Sequence, residues 1–532
     1  MRWFAAALTA LLLAACAPSY NVEEKTIAQL QADLSSGAVT SEQLVEAYLA
    51  RIAAIDDAGP TLNAVLALNP EALAQARALD AERAAGQLRG PLHGIPILLK
   101  DNIESAENAT TAGSLALAQN LTARDAPLVT RLRQAGAIIL GKTNLSEWAN
   151  IRSSASTSGW SAIGGLTRNP YALDRNACGS SSGSGAATAA SLAAAAIGTE
   201  TDGSIICPSA INGLVGIKPT VGLVSRTYVV PISHSQDTPG PMGRTVADVA
   251  AILTAIAGTD PADAATAQAD AHRQDYAAAL DADALQGKRI GVLRFQAGFH
   301  AGVDERFAEA LAHLRAAGAE IVEIAAAPAG MDSIGDDEFT ILMAELKTDL
   351  NAYLATTPAG VTTRTLAAII AFNDATPAET VLFGQELFVR AQATQGIADP
   401  AYVAAIARAP RLAGQAIERL LREHRVDALI APSLGPAWTT DIVNGDHFVG
   451  GGASTLAAVA GYPHVTVPMG LVGGLPVGLS FSGEAWSEAK LLAFAYAYEQ
   501  RAQARVAPSY ARSVEDAAPF AAALRGATAG DE

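Results

Sequence analysis

The stretch CGSSSGSG, Cys178 to Gly185, sets four serines and three glycines in eight residues and leads straight into the apolar run AATAASLAAAAIG. A second polar loop, TETDGS, follows that run and ends on Ser204. A serine hydroxyl is a weak nucleophile until a base takes its proton. Gly203 lets the backbone turn tightly before Ser204 and leaves N–H groups open to hold a developing oxyanion. Lys100, in LLKDN at the end of an apolar strand pattern, is a candidate base, because a desolvated lysine accepts a proton near neutral pH. The bland alternative for Lys100 is an ion pair with Asp101 or Glu104. Other chemistries compete for the first loop. A phosphate-cradling loop needs Gly-Lys-Ser/Thr, and no lysine follows Gly185. A dinucleotide fingerprint lacks its third glycine. GSSSG, Gly179 to Gly183, also fits Gly-x-Ser-x-Gly, the nucleophile elbow of α/β-hydrolases, with Ser181 as nucleophile. That fold needs an acid and a histidine further on, and seven histidines do follow.

The elements that must hold these residues alternate. TIAQLQADLSSGAVTSEQLVEAYLARIAAID reads as two helices, with Gly37 as a C-terminal cap and Thr40 with Gln43 as a capping box. GIPILLKDN and AGAIILGKTN read as short apolar strands ending in polar residues. RIGVLRF, DALIAPS, HVTVPMG and VGLSFSG are further strands, with helical patterns between them. The run Ala186–Gly198 is predicted to be a buried, alanine-rich helix. The fold class is therefore α/β, one large domain on a single sheet. Residues 260–408 read as a helical elaboration walling a pocket, and residues 511–532 as a flexible tail.

The chain has 532 residues, half of them hydrophobic, and a formal net charge of −17. No lysine and arginine run forms a phosphate-binding stripe, so nucleic acid is not an expected partner. The segment MRWFAAALTALLLAAC has an early Arg2 and an apolar run too short to span a bilayer, the shape of a secretory signal peptide over residues 1–15. Its LAAC end resembles the bacterial lipobox, which implies lipidation of Cys16 and a short tether over residues 16–25. Each buried methylene of such an anchor adds about 0.8 kcal/mol. Residue 17 is Ala rather than Asp, so the resemblance implies an outer-membrane, periplasm-facing location. Only Cys178 and Cys207 remain. They make no disulfide framework and no zinc spacing.

Taken together, GPLHGIPILLKDN, GKTNLSEWA, CGSSSGSGAATAASLAAAAIGTETDGSIICPSA and GLVGIKPTVGLVS resemble the amidase signature family. SQDTPGPMGRTVADVA, GYPHVTVPMG and GLPVGLSFSG fit it too, and the likeness runs from about Thr26 to Arg505, within a domain spanning 26–510. The family implies a mixed, twisted sheet covered by helices on both faces. It also implies a first loop serine 24 residues before the nucleophile, the separation of Ser180 and Ser204. By that match Lys100 is the base, Ser180 the bridging serine after a cis peptide bond, and Ser204 the nucleophile. Backbone N–H groups across Thr201, Asp202, Gly203 and Ser204 would hold the oxyanion, with Ser181 and Thr199 in support. No metal or cofactor is implied.

The chain departs from the common family pattern at Asp202, where many members have Gly, and at Ile206, where they have Arg. Only the backbone N–H of Asp202 is expected to matter. TETDGSI-x-CP and STSGWS are more similar to the bacterial peptide amidases, which remove the C-terminal amide of peptides. Cys178 and Cys207 flank the two serines; two buried free thiols are expected, with a disulfide as the alternative in an exported protein. The expected function is hydrolysis of a carboxamide with release of ammonia or an amine, by a monomer or homodimer. The alternatives are an aryl-acylamide or fatty acid amide hydrolase, the amidase subunit of an amidotransferase, a silent envelope binding protein, or a histidine-dependent hydrolase through Ser181.

Overall fold

The computed structural model describes residues 20–516 and 518–525, so Cys16 and the signal-peptide pattern lie outside the described residues. The strands are β1 (Val65–Leu68), β2 (Pro96–Lys100), β3 (Ile138–Thr143), β4 (Trp160–Ser161), β5 (Gly165–Leu166), β6 (Ala195–Glu200), β7 (Val215–Lys218), β8 (Thr238–Gly243), β9 (Arg289–Leu293), β10 (Glu320–Ile324), β11 (Ala428–Pro432), β12 (His464–Val472) and β13 (Leu475–Ser482). Eleven form one sheet in the order β1-β3-β2-β6-β8-β7-β12-β13-β11-β9-β10, while β4 and β5 pair apart. The sheet is mixed: β3, β2 and β6 run parallel, as do β11, β9 and β10, and antiparallel pairs join these two groups. Strands β2, β3, β6, β7, β8 and β11 are buried at every residue. Successive side chains on a strand point to opposite faces, so helices cover both.

The first two helices, Ile27–Ser36 and Ser41–Arg51, form as read. Gly37 caps the first with φ 74°, and Thr40 and Gln43 close the capping box of the second. The alanine run does not form one helix. Helix Ser182–Ala189 stops, and Ala195–Glu200 becomes β6, pairing in parallel with β2 and antiparallel to β8. Alanine favours a helix locally, but a slot between two strands satisfies the same backbone groups and buries the small side chains. The described parts of the tether and of the tail make contacts with the domain. In the tether, Val22 is buried and Glu24 is bridged by Arg505 at 2.7 Å. In the tail, Ala511 bridges to Ala172, and helix Ala518–Arg525 follows. The elaboration over 260–408 is not wholly helical, since β9 and β10 extend the sheet. Its helices Ile334–Ala355 and Glu386–Ala393 send Phe339, Leu342 and Leu387 to the wall of a cavity.

Candidate active site

Strands β2 and β6 are parallel neighbours, with Leu99 opposite Ile197. Their carboxyl ends therefore open on the same edge of the sheet, where α/β folds gather their ligands. Lys100 is the last residue of β2, and Thr199 lies one residue before the end of β6. The serine loop presses on β6 at Gly198, where a Cβ would lie 2.7 Å from Ser181 Oγ and 2.9 Å from Met242 Sδ. Ser181 Oγ donates to Thr199 O at 3.1 Å and accepts from Thr199 N at 3.2 Å. Ser181 N donates to Ser204 O at 3.2 Å. The two serine loops are thus tied by Ser181, whose hydroxyl is spent on the backbone of β6 rather than offered as a nucleophile.

Lys100 Nζ donates to Ser180 Oγ at 2.7 Å, to Thr199 Oγ1 at 2.8 Å and to Thr199 O at 3.2 Å. Ser180 follows a cis peptide bond from Gly179. Neither carboxylate of the bland reading reaches Lys100: Asp101 pairs with Lys142 at 3.2 Å, and Glu104 pairs with Arg124 at 2.5 Å. Lys100 is fully buried. That desolvation pushes its ammonium down to about 7, against a smaller upward pull from the Asp237 and Glu200 carboxyls. The lysine is therefore a proton acceptor as much as a donor at neutral pH.

Ser204 stands at the cavity wall, on the turn that leaves β6. Among the described residues, no internal acceptor takes the N–H groups of Thr201, Asp202, Gly203 or Ser204. Gly203 has φ 77°, the left-handed region that makes this turn possible. Glu200 Oε2 accepts from the N–H groups of Ile205 at 2.7 Å and Ile206 at 2.9 Å, fixing the start of helix Ile206–Ile211. Thr201 Oγ1 donates to Asp237 Oδ1 at 2.6 Å. No hydrogen bond joins Ser180 Oγ to Ser204 Oγ among the described residues. Such contacts often close only around substrate.

The sequence singled out Lys100, Ser180, Ser181, Thr199, Thr201, Asp202, Gly203 and Ser204, and the structure brings all of them to one edge of the sheet. It corrects two expectations. Cys178 and Cys207 are joined by a disulfide, with Cα atoms 6.0 Å apart, across the two loops beside the cavity. Bringing the serines together brings their neighbouring cysteines within bonding range. The side chain of Asp202 is also engaged, accepting from Thr455 Oγ1 at 2.7 Å. Three supporting residues went unread: Asn102, which donates to Thr199 Oγ1 at 2.9 Å, and the carboxyls of Glu200 and Asp237. Asn102 had a signal in its place two residues after Lys100. Asp237 had none.

The cavity has a volume of about 590 Å³, and Ser204, Gly203, Ile151, Phe339, Leu342 and Phe448 all face it. Among the described residues its lining includes Asp202 and Asp446 and no lysine, arginine or histidine.

A lysine that can accept a proton, a serine in its hydrogen-bonding reach and a second serine under free N–H groups make up the equipment of acyl transfer without a histidine. The protein is a hydrolase acting on the carbon–nitrogen bonds of linear amides, and it belongs to the amidase family, whose model matches residues 43–492. The chain is similar to the native peptide amidase of Stenotrophomonas maltophilia, with 54% identity, TM-score 0.87, and coverage of 92% of this chain and 99% of that one. It is 40% identical over 506 residues to a probable amidase of Arabidopsis thaliana, covering 92% of this chain and 93% of the relative. An amidase family protein from Bacillus anthracis shares its fold at 35% identity and TM-score 0.83, with 92% of this chain and 93% of that one covered.

Proposed function

We propose that the protein hydrolyses the C-terminal carboxamide of peptides, releasing ammonia, with Ser204 as nucleophile, Ser180 as bridge and Lys100 as base. The observation that carries the relay is the 2.7 Å hydrogen bond between buried Lys100 Nζ and Ser180 Oγ. Neutral Lys100 takes the Ser180 proton as Ser180 takes that of Ser204, and Ser204 Oγ attacks the amide carbon. The N–H groups of Thr201 to Ser204 hold the oxyanion; losing one such donor typically costs about 10²–10³ in rate. The proton returns through Ser180 to the leaving nitrogen, the C–N bond breaks, and ammonia departs. Water then cleaves the acyl-enzyme through the same relay.

Peptide carboxamides are favoured over other amides by two observations. The cavity wall mixes apolar side chains with serines, as a peptide end requires, and a peptide amidase shares 54% of the sequence. Among the described residues the cavity lining offers no lysine, arginine or histidine to pair the charge of a substrate that already ends in a carboxylate. Ammonia release from amidated peptides, aryl amides and fatty acid amides, measured beside Ser204→Ala, tests this reading. Amidated peptides are expected to give the highest kcat/KM, and Ser204→Ala to give none. Equal turnover of fatty amides, or undiminished release by Ser204→Ala, would count against it.

We further propose export and lipid anchoring at Cys16. The amino-terminal pattern supports this, as does the Cys178–Cys207 disulfide, a bond of oxidising compartments. Cell fractionation of wild type and Cys16→Ser tests it: the wild type is expected in the membrane pellet and the variant in the soluble fraction. Identical distributions would refute the anchor.

A further inference from the structure

Residues 20–25 are fastened to the edge of the sheet opposite the reacting groups. Lys100 and Thr199 lie at the carboxyl ends of β2 and β6. Glu24 and Lys25 lie at the amino ends. Glu24 N donates to Ser191 Oγ at 3.0 Å, on the turn that leads into β6. Arg505 bridges Glu24 at 2.7 Å and donates to Ala189 O at 3.3 Å, at the start of the same turn. Arg244 joins Lys25 O at 2.5 Å to Ala193 O at 3.1 Å. Glu23 pairs with Arg51 at 3.2 Å, and Arg51 Nε donates to Ala190 O at 2.8 Å. Ala194 N donates to Pro96 O at 3.1 Å, so the amino end of β2 shares this edge.

Tyr20 stays at this edge as well. Its hydroxyl donates to Asp33 on helix Ile27–Ser36, and Gln31 of that helix donates to His93 O at 2.9 Å, just ahead of β2. Val22 is buried, which fixes the chain between them. Cys16 lies four peptide bonds ahead of Tyr20, a covalent reach of at most about 14 Å. Strand β6 has six residues and at about 3.3 Å each spans about 20 Å from this edge to the catalytic one. The tether is therefore shorter than the sheet is deep, and it starts from the far side.

We propose that the amino edge of β2 and β6 is the surface this protein turns to the bilayer that holds its Cys16 lipid, and that the cavity opens away from that bilayer, toward water-soluble amidated peptides. This rests on lipidation of Cys16 and on the peptide-amide reading of the cavity. Leu88, 58% exposed in the loop ahead of β2, then faces the lipid headgroups. Phe448, 65% exposed on the cavity wall, is held out of reach of lipid and is left to pack on an apolar side chain of the peptide.

The test uses the lipidated protein, purified from membranes and placed in phosphatidylcholine vesicles in which some headgroups carry a nitroxide quencher. Leu88→Cys and Phe448→Cys each supply one thiol for a fluorophore, since Cys178 and Cys207 are bonded to each other. Fluorescence at position 88 is expected to be lost on quencher vesicles, and fluorescence at position 448 to match that on vesicles without quencher. Equal loss at both positions, or loss at 448 alone, would overturn the orientation. A second readout needs no variant. A peptide amide bearing a palmitoyl chain on the residue next to its carboxamide, and hydrolysed in detergent, should be spared once inserted in the vesicles, while a soluble amidated peptide is still turned over there. Turnover of the inserted peptide at its detergent rate would also overturn the orientation. Flotation of the protein with the vesicles, lost in Cys16→Ser, reads the anchor by itself. Without flotation the anchor falls and the orientation with it; with flotation, the quenching and turnover results bear on the orientation alone.

Discussion

Acidification should silence Ser204 by charging a residue that never touches substrate. Lys100 Nζ is fully buried, hydrogen-bonded to Ser180 Oγ and to both oxygens of Thr199, and, among the described residues, without an ion-pair partner. Burial brings it from 10.5 down to about 7. That interval corresponds to roughly 5 kcal/mol favouring the neutral amine over the ammonium in this setting. The sign follows directly: the lowered value means that the amine is free above pH 7 and protonated below it, so reactivity rises with pH. At pH 7 about half the molecules carry a neutral Lys100, and at pH 5 about one in a hundred, so the acylation rate should drop about fiftyfold between them. The assay is the second-order rate of fluorophosphonate labelling at Ser204, read by intact mass, which reports acylation without a substrate-binding step. A rate that is flat from pH 5 to 7 would refute the reasoning. So would a rate still climbing above pH 9, since the lysine would then be an ordinary ammonium and no base.

The same limb can be moved. Asp237 is the largest upward pull on Lys100, so Asp237→Asn should carry the midpoint to lower pH; an unmoved or higher midpoint would remove Asp237 from the account. Gly203→Ala puts a Cβ on a residue at φ 77°, 3.3 Å from Ser454 Oγ, and should misalign the N–H groups around it. A kcat lower by about 10²–10³ is expected, and a kcat within twofold of wild type would argue against this turn as the oxyanion site. The Cys178–Cys207 bond joins residues separated by 29 positions and should stabilise the fold by about 3 kcal/mol. Urea unfolding of the Cys178→Ser/Cys207→Ser variant measures this. Alkylation of the native protein before reduction should modify neither cysteine, and labelling of both would refute the bond.

Much of this site was legible through the resemblance to the amidase signature family, which gave Lys100, Ser180 and Ser204 their roles; the residues alone left Lys100 open between a base and an ion pair. Lys100 closes an apolar run that had to be a strand, and Ser180 and Ser204 bracket a segment of fixed length that folds as one helix and one strand. The character of that segment was not legible, because alanine carries no periodic signal: Ala186–Gly198 is divided between helix Ser182–Ala189 and β6 by the strands waiting on either side. Strand β8, Thr238–Gly243, reads TPGPMG, two prolines and two glycines where local rules argue against a central strand. It exists because β6 and β7 flank it. Asp237 was invisible for a different reason. It is one acid among 53 acidic residues, and only the fold sets it against Thr201. The disulfide follows from the same convergence that pairs the serines, so it became definite only with the geometry.

The nucleophile can be caught directly. The protein is mixed with an amidated peptide, quenched in acid within the first turnovers, digested and mapped by mass. The account requires the peptide's acyl group on the fragment that holds Ser204, and no acyl group and no ammonia from Ser204→Ala. An acyl group on Ser181, or ammonia released at the wild-type rate by Ser204→Ala, would contradict it.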